Sequence, residues 1–228
     1  MPSVLAGMTL LVLGESHMSL ADHLMEPLHD NLTRQGAIVH SIGACGASAG
    51  ACGASAGDWL ITKKVDCGAE QKGNGKIVIK GRDATTTPIG ELIAADKPDL
   101  VVIVIGDTMA SYDKPSFPKA WAWQSVTGLT KAIAATGTKC AWVGPAWGKV
   151  GGMYQKNDAR TQLMSQFLAS NVAPCTYIDS LSFSKPGQWI TTDGQHFTVA
   201  GYKSWGTAIG DALGKLPVTS VSAAGAKQ

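Results

Sequence analysis

Short apolar runs alternate with amphipathic stretches along most of this chain. Residues 8–13 (Met-Thr-Leu-Leu-Val-Leu) are the first such run and predict a strand. Leucines at 20, 24, 28 and 32 then share one helical face, which predicts a helix over 19–35. Pro27 should bend it and Gly36 should stop it. Residues 37–42 read as a second strand and residues 76–80 as a small excursion, such as a hairpin arm. Thr87-Pro88 opens a helix that ends before Pro98. The unbroken apolar run 100–105 predicts a buried central strand. A helix over 118–136, a strand at 139–143, a glycine-rich loop at 144–152, a helix near 157–169 and a strand at 175–178 follow. Thr198 is a good N-cap for a last helix reaching about Leu213. Strands alternating with helices predict an α/β fold with a parallel sheet covered on both faces. No linker divides the chain, so a single domain over 1–216 is expected, with 217–228 as a frayed tail after Pro217.

Composition narrows the function classes. The 228 residues suffice for one α/β domain, and a charged fraction of 16% with ordinary apolar content excludes wholesale disorder. A net charge of +2 argues against a dedicated nucleic-acid or polyanion binder. No apolar run reaches transmembrane length. Met1-Pro2-Ser3 lacks a basic n-region, so the start reads as cytoplasmic or as a processed mature chain.

The five cysteines bear on that choice. None shows a metal spacing, so no zinc site is expected. Cys140 and Cys175 fall in neighbouring predicted strands, and Cys67 lies a short loop after Cys45 and Cys52. Disulfides joining Cys140 with Cys175, and Cys67 with either Cys45 or Cys52, would leave one thiol and fit a periplasmic or secreted protein. Small buried residues of a cytosolic core are the alternative. The odd count has a visible origin: GACGASA at 43–49 is repeated at 50–56, which copies a cysteine and lengthens the loop after the second strand.

The candidate chemistry lies at the two ends of the chain. The first strand runs into Gly14-Glu15-Ser16-His17, and the last helix is preceded by Thr192-Asp193-Gly194-Gln195-His196-Phe197. A serine hydroxyl is a poor nucleophile until a base takes its proton, and the base needs an anion to fix its tautomer. Ser16, His196 and Asp193 supply these three parts. In an open parallel sheet, ligands bind beyond the carboxyl ends of the strands. Ser16, the duplicated glycine loop and Gly106-Asp107-Thr108 should all lie there. Taken singly, Ser16 could equally be a helix N-cap and His196 a satisfied polar residue near a helix start.

These residues resemble the blocks of the SGNH (GDSL-type) hydrolase family. Gly14-Glu15-Ser16-His17 is similar to the first block, with Glu for the usual Asp, and Asp193 with His196 matches the last, DxxH. The glycine-rich loop matches the second block. Gly106-Asp107-Thr108-Met109 aligns with the third, GxND, with Thr108 in place of the asparagine. The resemblance implies a three-layer α/β/α sandwich of flavodoxin-like type with a parallel sheet of about five strands. It implies catalysis by Ser16, Asp193 and His196 with no metal and no organic cofactor. It also implies an oxyanion hole from the Ser16 N–H, a loop glycine N–H and, as a weaker donor, Thr108. Gly46 directly follows the strand, whereas Gly53 precedes Gly57-Asp58-Trp59, so either copy fits the glycine role.

The expected activity is hydrolysis of acyl esters, above all acetyl, on a small-molecule or carbohydrate alcohol. An O-acyltransferase using the same triad and an idle carbohydrate-binding protein are the alternatives. Seven tryptophans are many for this length, and Trp59, Trp147 and Trp189 sit in predicted loops near the site elements. There they either stack on sugar rings or pack half-buried. His17 either contacts substrate or caps a helix.

Overall fold

The computed structural model describes residues 3–45, 56–112 and 116–217. Its elements, in chain order, are β1 (Thr9–Gly14), α1 (Met25–Arg34), β2 (Ile38–Ala44), β3 (Gly68–Lys72), β4 (Val78–Lys80), α2 (Ile89–Asp96), β5 (Leu100–Val104), α3 (Asp107–Ala110), α4 (Lys119–Ala134), β6 (Lys139–Val143), α5 (Asp158–Asn171), β7 (Thr176–Ile178) and α6 (Val199–Leu213). Short 3₁₀ turns occupy Ser16–Met18, Ala56–Leu60 and Ser180–Phe183.

The most apolar runs take the centre. β1 pairs in parallel with β2 on one side and β5 on the other, placing Leu11 beside His40 and Val101. β5 continues to β6 and β7, also in parallel. Successive side chains of a strand point to opposite faces, so each central strand feeds two cores. Leu11, Leu13, Val101, Ile103 and Trp142 pack under α2, α4 and α5 with Ile93, Leu129 and Met164. Leu10, Val12, Val102, Val104 and Val143 face α1 and α6 with Leu28, Leu32, Trp205 and Ile209. This is the three-layer sandwich, with the five strands from β2 to β7 in the sheet parallel as expected.

The sheet has seven strands rather than five, in the order β4-β3-β2-β1-β5-β6-β7. The excursion at 76–80 is the hairpin arm β4, and its partner β3 runs antiparallel to β2. β3 reads Gly-Ala-Glu-Gln-Lys, which carries no β-branched residue and no apolar alternation to announce it. Tertiary partners hold it instead. Cys67 is disulfide-bonded to Cys45 at the end of β2, and Glu70 accepts from His40 at 3.0 Å. The second disulfide joins Cys140 on β6 to Cys175 just before β7. Cys52 lies outside the described residues.

The first helix also differs from its prediction: it starts at Met25 rather than near Ser19. Pro27 therefore sits in the first turn, where the missing N–H would have had no partner and no bend follows. Leu20 is left largely exposed in the preceding turns. Two other helix starts follow local chemistry, with Asn157 accepting from Ala159 N and Arg160 N, and Thr198 accepting from Gly201 N. Among the described residues no helix is long and apolar enough to cross a membrane.

Candidate active site

β1 delivers Ser16 to the carboxyl edge of the sheet through a tight turn. A Cβ at Gly14 would collide with the Met18 side chain, so only glycine lets the 3₁₀ turn Ser16–Met18 fold back over the strand. The Ser16 N–H opens that turn, where a backbone donor has no carbonyl behind it in the helix. On the far side of the edge, Thr192 N donates to His196 O at 2.8 Å and closes the loop that carries the acid and the imidazole.

The two ends of the chain meet here. Ser16 Oγ lies 2.8 Å from His196 Nε2, and His196 Nδ1 lies 2.7 Å from Asp193 Oδ2. The other carboxylate oxygen of Asp193 accepts from the backbone N–H of Gln195 at 2.9 Å and of His196 at 2.7 Å. Burial alone would raise the Asp193 pKa, but the His196 side chain and these N–H donors outweigh it and hold the carboxyl below its usual range. An ionised Asp193 accepts a hydrogen bond from the His196 Nδ1–H, which leaves Nε2 as an acceptor aimed at the Ser16 hydroxyl.

A second chain of the same chemical type lies beneath the first. Lys156 Nζ is ion-paired with Asp107 Oδ1, Asp107 Oδ2 meets His17 Nε2 at 2.8 Å, and His17 Nδ1 meets Tyr202 OH at 2.9 Å. All four residues are buried, and the His17 ring centroid is 5.1 Å from that of His196. Burial would raise Asp107, yet Lys156 and His17 outweigh it and hold the carboxyl well below its usual range. Burial pulls His17 down to about 4, so the imidazole is neutral, and burial likewise pushes the Tyr202 phenol upward. His17 therefore touches no substrate: its ring is sealed in the core between an acid and a phenol.

Glu15 joins the loops after β1 and β5. Its buried carboxylate accepts from Gly106 N at 3.1 Å, Asp107 N at 2.8 Å and Thr108 N at 2.8 Å, and from the Thr108 hydroxyl. Burial and the nearby Asp107 push Glu15 up to about 7, against the pull of these donors. Thr108, expected as a weaker oxyanion donor, directs its one hydroxyl proton at Glu15, which accepts the hydrogen bond. Glu15, His17 and Asp107 place ligand atoms within 4.8 Å of one another. They do not fit a metal ion, because Lys156 already pairs with Asp107 and backbone N–H groups already occupy both Glu15 oxygens.

The tryptophans divide. Trp59 is fully buried in the 3₁₀ turn Ala56–Leu60 and packs in the core with Leu129 and Val126, so it cannot stack on a sugar. Trp189 is half-buried with its ring against Phe197, 5.6 Å between centroids. Trp147 is half-buried, and its indole N–H donates to Leu181 O at 2.9 Å. Gly46 and Gly53 lie outside the described residues. Beyond the predicted set, His23 donates from its ring to Ser16 O at 3.2 Å and stacks 5.5 Å from the His196 ring. Tyr154 sets its ring edge-on to His196 at 5.2 Å. Neither is marked by periodicity or by a motif block.

No family model matches the chain. It is 39% identical over 212 residues to protein BcsX of Komagataeibacter xylinus, covering 92% of this chain and 78% of that protein. Among solved structures it resembles a peptidoglycan O-acetylesterase with a TM-score of 0.54, at 14% identity, over 94% of this chain and 92% of that one. It also resembles a GDSL-like lipase of Bacteroides thetaiotaomicron with a TM-score of 0.51, at 12% identity, over 91% of this chain and 88% of that one.

Proposed function

This chain belongs to the BcsX family and has the SGNH (GDSL-type) hydrolase fold, and we propose that it is a serine esterase whose triad is Ser16, His196 and Asp193. One observation carries the reading: an unbroken hydrogen-bond chain, carboxylate to imidazole to hydroxyl, at the carboxyl edge of the sheet. Ser16 Oγ attacks the ester carbonyl carbon while its proton passes to His196 Nε2. The tetrahedral intermediate then collapses, and His196 returns the proton to the departing alkoxide. Water, deprotonated by His196, attacks the acyl carbon; the bond to Ser16 Oγ breaks, His196 returns the proton to Oγ, and the carboxylic acid leaves. Asp193 keeps the tautomer and stabilises the imidazolium.

The oxyanion requires preorganised donors, each worth roughly 3–4 kcal/mol to the transition state. The Ser16 N–H is one, and a glycine N–H of the duplicated loop, at Gly46 or Gly53, is the other. With the Thr108 hydroxyl donating to Glu15, this reading assigns the hole to these two backbone donors.

The preferred substrate is an acetyl ester of a carbohydrate. The fold shared with a peptidoglycan O-acetylesterase supports this class. The two disulfides are consistent with an oxidising, extracytoplasmic compartment, where such polysaccharides reside. The test is acetate release from an O-acetylated oligosaccharide by the wild type and by Ser16→Ala. Free acetate from the wild type alone supports the hydrolase. Transfer to an added sugar without net acetate would make it an acyltransferase, and equal release by both proteins would remove Ser16 from the mechanism.

A further inference from the structure

His196 must protonate the departing alkoxide, so the alcohol half of the ester leaves on the imidazole side of Ser16. This direction rests on the esterase reading. The chain that covers the imidazole side is the segment 147–156. Its backbone seats directly on the acid-bearing loop: Lys149 N donates to Gly194 O at 2.9 Å and Met153 N to Asp193 O at 3.0 Å. A Cβ at Gly148 or Gly152 would strike Gly194 O or Asp193 O, so both glycines permit the close seating. Tyr154 brings its ring to His196, and Lys156 ties the end of the segment to buried Asp107.

The start of the same segment opens onto a groove of about 300 Å³, lined by Trp147, Gln162, Gln166, Ser165, Asp179 and Ser182. We propose that this groove is a binding subsite for an uncharged sugar unit in the alcohol half of the substrate, away from the ester itself. Three features select that ligand. The Trp147 indole is fixed by its bond to Leu181 O, so a flat apolar face is held in place before any ligand arrives. Gln162 and Gln166 lie one turn apart on the exposed face of α5, and each amide offers both a donor and an acceptor, as sugar hydroxyls require. The one charged residue of the lining is Asp179, itself held by Ser165 at 3.2 Å and Leu181 N at 3.1 Å; it favours hydroxyl donors and repels anions. A purely apolar ligand would leave these amides and hydroxyls unpaired. The volume is at the small end of ligand sites, roughly 300–1,000 Å³, and suits a single ring.

The test measures binding in the Ser16→Ala background, by calorimetry, with an O-acetylated series of neutral oligosaccharides from the monosaccharide upward. Affinity should rise with chain length in Ser16→Ala. The rise should shrink by about tenfold or more, about 1.4 kcal/mol, when Trp147→Ala is added. Because Trp147 is half-buried, the exposed pair Gln162→Ala with Gln166→Ala is the second variant, and it should also lose most of the length dependence. Affinity independent of length, or a length dependence that both variants keep, would overturn the subsite. These arms do not use the nucleophile. A Ser16→Ala protein that still released acetate would therefore overturn the esterase reading separately, without altering the binding result.

Discussion

Two chains of carboxylate, imidazole and hydroxyl lie one beneath the other, and they differ in what surrounds them. In the outer one, Asp193 and Ser16 are half-buried and His196 is only slightly exposed, and among the described residues the acid has backbone donors but no Lys or Arg partner. In the inner one, Asp107, His17 and Tyr202 are sealed, and Lys156 neutralises the acid. The inner hydroxyl is a phenol pushed away from ionisation by burial, and the inner imidazole is pulled down to about 4. Under the proposed esterase reading, the same connectivity serves as a proton relay in the outer chain and as a structural strut in the sealed inner one. Exposure and counter-charge, rather than the triad pattern, separate reactivity from scaffolding.

The comparison breaks most sharply at the nucleophile. Ser16→Ala should lower kcat/KM for an aryl acetate by about 10³-fold or more, with the unfolding temperature changed by only about 2 °C. Steady-state kinetics with a thermal melt checks both. At the inner chain the effect should reverse in kind. Lys156→Met leaves Asp107 buried without its cation, at a cost of about 3–5 kcal/mol. That corresponds to a fall in melting temperature of about 6–20 °C for a domain of this size. A Lys156→Met protein with wild-type melting would show that the ion pair is not what holds the inner chain.

A finer contrast uses the two acids. Asp193→Ala should retain about tenfold or more activity over Ser16→Ala, because an orienting anion is the less indispensable member. Its melting temperature should stay near the wild type, whereas Lys156→Met should melt early.

The smallest effect is in pH. His17 stands at about 4 in the fold against 6.5 unfolded, so between these values the unfolded chain binds the extra proton and acidification destabilises. Glu15, raised from 4.5 to about 7, does the opposite: the folded chain holds the proton, and acidification through that window stabilises. The two oppose each other, so Glu15→Gln should lose more melting temperature than the wild type on going from pH 7 to pH 4.5. Parallel curves for the two proteins would show that Glu15 does not take up a proton in the fold.

Much of the architecture was legible because local signals and tertiary demands agree. β6 runs over the expected 139–143, and α6 follows Thr198 as its cap. Cys140 and Cys175 could be paired because two apolar runs became neighbouring strands. What stayed hidden depends on distant partners. β3 has no strand pattern of its own and exists through His40, Cys45 and the hairpin with β4. Trp59 read as a loop aromatic, yet the turn holding it packs under α4 and buries it completely. His17 and Thr108 read as site residues by their positions beside motif residues. Their side chains turn inward because Asp107 and Glu15 are there to receive them. Lys156 meets Asp107 across 49 residues of sequence, a pairing that no periodicity announces.

The most direct test of the outer chain as the reactive one is labelling with an alkyl fluorophosphonate, followed by peptide mapping. Attack by Ser16 Oγ expels fluoride and leaves a stable phosphonyl-serine. The expected result is a single adduct on the peptide containing Ser16, absent in Ser16→Ala and formed far more slowly in His196→Ala. An adduct on a different residue, no adduct at all, or equal rates with and without His196 would contradict it.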